Sequence, residues 1–111
     1  SEFSPPFFMR KNKYNATPQI VDGHRFPSKR EAKRYADLVL LQRAGQIHDL
    51  RIQVAYPLKV GDQTIGKYLA DFVYWEGKAE IVEDCKGYRT PLYKWKKKHF
   101  EAQYQKKLKE T

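Results

Sequence analysis

The chain has 111 residues, 41% hydrophobic and 14% aromatic, with 22 Lys and Arg against 13 Asp and Glu for a formal charge of +9. That length holds one domain with a modest core, and that composition excludes a disordered chain. No run is apolar for long enough to span a bilayer as a helix, and the single cysteine, Cys85, excludes an internal disulfide.

So large a basic surplus favours a polyanionic partner, nucleic acid before an anionic membrane surface. The lone thiol and the lack of a signal-peptide pattern set the expectation of a reducing cytoplasm. Residues 1–8, "SEFSPPFF", precede the only methionine, Met9, and read as a remnant ahead of a native start; the alternative is a short native arm. Residues 9–27 read as a basic arm and a hairpin, and residues 28–111 as a single core domain. Within the arm, Asp22-Gly23 separates two short alternating runs, which signals a tight hairpin turn because both central positions need positive φ.

"PSKREAKRYADLVLLQRAG" reads as a helix. Ser28 can cap it with Glu31 completing a capping box, and Gly45 is the expected stop. Ala32, Tyr35, Ala36, Val39 and Leu40 recur at helical spacing and form the expected inner face. "IHDLRIQVAYPLKV" alternates, with Ile52, Val54, Tyr56 and Leu58 expected on one face. After a turn at Gly61-Asp62, "TIGKYLADFVYW" reads as a second strand. A third, "AEIVEDCKG", follows the tight turn "EGK", so the three form an antiparallel meander. "PLYKWKKKHFEAQYQ" opens with Pro91 at a first helical position and reads as a second helix. The tail "KKLKET" either frays from that helix or forms a short final edge strand. The expected class is therefore α/β: helix, three-stranded antiparallel meander, helix, and a possible last strand.

The chemistry concentrates in "YLADFVYWEGKAEIVEDCKG". Side chains alternate along a strand, so Asp84 and Lys86 project from one side while Cys85 and Glu83 project from the other. Hairpin pairing can bring Asp71, on the preceding strand, and Asp84 within reach of one cation. Two carboxylates brought together without a cation repel and raise each other's pKa. Hard oxygen ligands point to Mg²⁺, with Mn²⁺ as a substitute. A lysine beside such an ion can orient or deprotonate a water and balance charge on a phosphate. The plain alternative is a solvated strand face; against it, Asp71 and Asp84 interrupt apolar strands, where a lone charge is costly. Glu83 is expected on the opposite face, solvated or paired with a lysine. Cys85 is expected to be a small core residue. It shares no zinc-ligand spacing with His24, His48 and His99.

From Lys94 to Lys109 the sequence has seven lysines and one acid, Glu101. Lys94, Lys96, Lys97 and Lys98 are expected to face phosphates, while Trp95 and Phe100 face the core. Lys29, Arg30, Lys33 and Arg34 make a second basic patch, and Lys11 and Lys13 can wrap the DNA backbone.

The set Glu31, Asp71, Asp84-Cys85-Lys86 resembles the PD-(D/E)XK nuclease superfamily. The ordered run "KYNA", "SKREAKRY", "LQRAGQIHDLRIQ", "YLADFVY", "DCKG" and "YKWKKKHFEAQY" resembles its small phage-type endonucleases, described as Holliday-junction-resolvase-like. The resemblance covers roughly residues 13–104 and departs from the superfamily pattern in having Ala70, not proline, before Asp71. It implies a restriction-endonuclease-like core and a metal-dependent DNA endonuclease for branched or structured DNA. Asp71, Asp84 and the backbone carbonyl of Cys85 would hold Mg²⁺, with Glu31 completing the acidic cluster. Lys86 would activate the water, and Gln53 would support the site. Symmetric cutting of two strands calls for a homodimer. Phage recombination or replication proteins in a bacterial cytoplasm are the implied further partners. Two other classes remain open: a non-catalytic nucleic-acid-binding module, and the nuclease subunit of a larger recombination or transposition complex. Cleavage by the isolated chain excludes the first, and cleavage only with a partner favours the second.

Overall fold

A computed structural model describes residues 18–111. Lys11, Lys13 and residues 1–8 lie outside the described residues. Among the described residues the fold is mixed α/β, with two helices and two sheets. Strands β1 (Gln19–Val21) and β2 (His24–Phe26) form a small hairpin. Its turn residues, Asp22 and Gly23, have φ of 52° and 79°, as the Asp-Gly signal requires.

Helix α1 spans Lys29–Arg43. Ser28 caps it, its hydroxyl accepting the Glu31 N–H at 3.2 Å. At the other end Gly45, with φ 79°, closes a Schellman motif: its N–H reaches the Gln42 carbonyl, and the Gln46 N–H reaches that of Leu41. The buried stripe is Glu31, Ala32, Tyr35 and Leu38, flanked by Val39. This corrects the expected face, because Ala36 and Leu40 point to solvent and Leu38 takes the place assigned to them. A glutamate heads the true stripe, so a purely apolar count shifts the face by part of a turn.

Strands β3 (His48–Val60), β4 (Gln63–Glu76) and β5 (Ala79–Asp84) form the expected antiparallel meander. Helix α2 (Pro91–Tyr104) follows, capped by the Thr90 hydroxyl. The ambiguous tail resolves as β6 (Leu108–Glu110), parallel to β5 at the sheet edge.

Alternation along the central strands shows how the layers sit. Phe72, Tyr74 and Ile81 pack in the cluster built on α1, whereas Val73 and Val82 pack in the cluster built on α2. One helix therefore covers each face of the sheet. β3 does not keep one inner face as expected: Ile52 packs with the α1 cluster, and Val54, Tyr56 and Leu58 with the α2 cluster. The break falls at Gln53, whose φ of 52° lies in the left-handed region and interrupts the two-residue alternation. β4 changes sides at the same level, between Ala70 and Phe72. On α2, Phe100 is fully buried but Trp95 is 49% exposed, a third correction. The inner stripe of α2 runs Tyr93, Phe100, Tyr104, and a residue two places after Tyr93 lies on the far side of the helix.

Candidate functional site

The row where β3 and β4 change sides also carries the acidic residues. The last paired residues of β4 and β5 are Phe72 and Glu83, so the next step of the register sets Asp71 opposite Asp84. The β3–β4 register likewise sets Gln53 opposite Asp71, and Asp84 pairs with Glu110 of β6. From the first turn of α1, Glu31 reaches the same place. Glu31 and Asp84 both lie close enough to Asp71 for their charges to act on it.

All three acids are buried: Glu31 is 7% exposed, Asp71 9% and Asp84 1%. Burial, then the charges of Asp84 and Glu31, pushes the Asp71 carboxyl up to about 8. The Cys85 N–H, donating to Asp71 Oδ2 at 2.8 Å, offsets only part of this. Asp71 therefore gives up its proton far less readily than an ordinary carboxyl. Burial raises Glu31 as well. Such a cluster is what carboxylates arranged around a cation look like when protons balance the charge.

Lys86 lies where strand parity puts it. Its Nζ is 3.4 Å from Asp84 Oδ1 and sits over the Tyr93 ring, 4.7 Å from the centroid. The Tyr93 hydroxyl donates to Glu110 at 2.7 Å. Asp84 Oδ2 accepts a hydrogen bond from the Tyr68 hydroxyl. Burial and the charge of Asp84 push the Tyr68 phenol well above its ordinary range, so it stays a donor. Cys85 is a buried core residue as expected, its thiol pushed up to about 11 by burial and so not a nucleophile.

The structure therefore brings Glu31, Asp71, Asp84 and Lys86 together. Gln53 stands in the same row but is exposed. The fit to a divalent cation has two sides. Glu31 Oε2 and Asp84 Oδ1 are buried and accept no hydrogen bond, Asp84 Oδ1 having only the Lys86 ammonium 3.4 Å away, and a hard ion would satisfy both oxygens. Yet among the described residues no three His, Cys, Asp or Glu side chains form a ready cage for a metal. A site with so few converging side chains suits an ion that keeps several waters and takes few protein ligands, as Mg²⁺ does.

Glu83 corrects the expectation of a solvated or lysine-paired side chain. It is fully buried on the α1 side and takes both prongs of Arg34, at 2.6 and 3.0 Å. The hydroxyls of Tyr74 and Thr111 complete its shell at 2.7 and 2.9 Å. Burial acts to raise its pKa, but these donors together hold it below the usual carboxylate range. Arg34, with 22% of its side chain exposed, is therefore held by Glu83 rather than standing free in the basic patch.

Of the other basic residues, Lys94, Lys98, Lys29, Arg30 and Lys33 are exposed, and Lys96 and Lys97 are half-buried. Lys33 pairs with Asp37, and Arg30 donates to the Thr111 carbonyl. Lys97 lies 3.5 Å from Glu110, which also holds Arg89 through two hydrogen bonds. Arg89 and Tyr93 keep Glu110 down at about 2. Sequence reasoning missed Tyr68, Glu83 and Glu110. Tyr68 carried no motif signal, and Glu110 lay in the ambiguous tail.

A family model described as "Protein of unknown function (DUF1064)" matches residues 11–111. The chain belongs to this family. No curated protein and no solved structure matches it at a significant level. The whole acidic cluster of this DUF1064 chain, and the basic helix beside it, thus lie within the family's extent. Among the described residues no helix is long and apolar enough to cross a membrane.

Proposed function

We propose that the chain is a Mg²⁺-dependent DNA endonuclease of the PD-(D/E)XK superfamily, acting on branched or structured DNA like the Holliday-junction-resolvase-like members. The observation that carries this reading is the buried set Glu31, Asp71 and Asp84, with Lys86 3.4 Å from Asp84, inside a chain of net charge +9. Carboxylates so placed are costly unless a cation or protons balance them, and a basic surface alone gives no reason to keep them. The order α1–β3–β4–β5–α2–β6 supports a restriction-endonuclease-like core.

Asp71, Asp84 and the Cys85 carbonyl would hold Mg²⁺, with Glu31 joining directly or through water. When bound, the ion supplies Lewis acidity toward a phosphodiester oxygen. Lys86 then has two tasks at its Nζ: orienting a water for attack and balancing charge that grows on the phosphate. Tyr93 under the ammonium and Asp84 beside it limit where the Nζ can go. The exposed lysines of α2 and the first turns of α1 hold the DNA backbone by its charge. Two copies of the chain would supply two sites for two strands.

One observation favours a non-catalytic DNA-binding module instead: Asp71 and Asp84 each already accept a hydrogen bond from the protein, and no three-ligand cage stands ready. Incubating the isolated chain with labelled four-way junctions, flaps, nicked and linear duplexes separates the two. Cleavage with Mg²⁺ or Mn²⁺ that stops with chelator is the expected result. Tight binding with no cleavage of any substrate supports the module.

A further inference from the structure

Leu92 and Trp95 stand three residues apart on α2, on one face of the helix, and are 60% and 49% exposed. Neither belongs to a core cluster. The indole is not loose, because it leans on the His99 ring, with centroids 5.5 Å apart and planes at 43°. His99 is itself tied to the sheet, its Nε2 2.8 Å from the Lys59 carbonyl oxygen. A braced, half-exposed tryptophan offers its remaining surface at little entropic cost. Exposed Lys94 and Lys98 flank it. A protein partner on this patch would desolvate those ammonium groups, which interface cores avoid. A nucleobase stacks on the ring while its phosphates meet the lysines in water. Tyr93, in the same turn of α2 but on its inner side, touches Lys86, so the acidic site lies at the same helix end as the patch, across the helix from it.

We infer that Leu92 and Trp95 form a stacking platform for an unpaired nucleobase, with Lys94 and Lys98 on the adjoining phosphates. The substrate of the neighbouring site is then DNA with unpaired nucleotides beside the strand to be cut, an inference that rests on the DNA-directed reading above. The test is fluorescence anisotropy at one salt concentration, with chelator present to prevent cleavage. It compares wild type, Trp95→Leu and Trp95→Phe on oligo-dT, a splayed fork and a blunt duplex. Stacking on one aromatic sets the scale, so Trp95→Leu should weaken oligo-dT and fork binding by about tenfold and change blunt-duplex binding by less than about twofold. Trp95→Phe should keep most of the affinity, and circular dichroism of both variants checks the fold. Equal loss on all three DNAs, or no loss on oligo-dT, overturns the platform. So does a change of mass by sedimentation in Trp95→Leu with oligo-dT affinity intact, which would make the patch a contact between copies. If wild type binds no DNA, the DNA-directed reading fails as well. If it binds duplex with steep salt dependence while Trp95→Leu is not selective, only the platform fails.

Discussion

Replacing Arg34 with alanine should destabilise the protein far more than a surface arginine would. Glu83 has no exposed surface, and among the described residues Arg34 is the only cation bonded to it, through contacts of 2.6 and 3.0 Å. Removing one partner of a buried pair strands the other charge, at a cost of about 3–5 kcal/mol. Tyr74 and Thr111 still donate to the carboxylate, which places the expected loss near the lower end, about 3 kcal/mol. For a domain of this size that lowers Tm by about 12–24 °C. Urea unfolding at neutral pH, followed by circular dichroism, reads the loss directly. The double variant Arg34→Met/Glu83→Gln should recover most of it, because the stranded charge is gone and the amide oxygen still accepts from Tyr74 and Thr111. A loss below about 1 kcal/mol in Arg34→Ala would refute the reasoning and return Arg34 to the exposed basic patch.

Asp71→Asn should weaken Mn²⁺ binding measured by calorimetry while leaving the metal-free protein as stable as wild type or more so, because the amide oxygen keeps the Cys85 N–H and the carboxyl crowding is relieved. Asp84→Asn should weaken Mn²⁺ binding too and, without metal, tighten DNA binding in a filter assay, since a charge facing phosphate is lost. Replacing Lys94, Lys96, Lys97 and Lys98 together by alanine should flatten the log–log salt dependence of duplex binding by about 0.9 for each true phosphate contact, and an unchanged affinity and slope would make the α2 lysines a solvated face. Glu110, held down at about 2, contributes stability that is present above its unfolded value near 4.5 and lost as pH falls toward 2. Glu110→Gln should therefore lose less stability than wild type across that window in acid titrations of urea unfolding.

Much of the fold was legible because its signals are local. Asp22-Gly23, Ser28, Gly45 and Pro91 each act through the backbone of their own turn, and each does what its chemistry requires. The pairing of Asp84 with Lys86, and the opposite setting of Cys85, followed from strand parity alone. Parity failed at Gln53, where a left-handed residue within β3 has no composition signal and moves Ile52 to the other layer. The partner of Glu83 was illegible for another reason: Arg34 lies 49 residues away, on α1, and only the packing of that helix on the sheet joins them. Trp95 faces solvent, against expectation, because the helix buries Tyr93 and Phe100 and a residue two places after Tyr93 lies on its far side. The acidic cluster was visible as residues, but not how far the Asp71 carboxyl is pushed up, which depends on how deeply Asp71 is buried.

The central claim is that Lys86 does its work on the reacting phosphate beside a cation held by Asp71 and Asp84. Single-turnover cleavage of a four-way junction by wild type and by Lys86→Ala, at saturating protein and Mg²⁺, tests it most directly. Lys86 ligates no cation and is only partly buried, so its loss should leave folding and Mn²⁺ affinity largely intact. The account predicts Mg²⁺-dependent cleavage by wild type and its loss in Lys86→Ala, by a factor of about 10² or more. Near-normal cleavage by Lys86→Ala would contradict it.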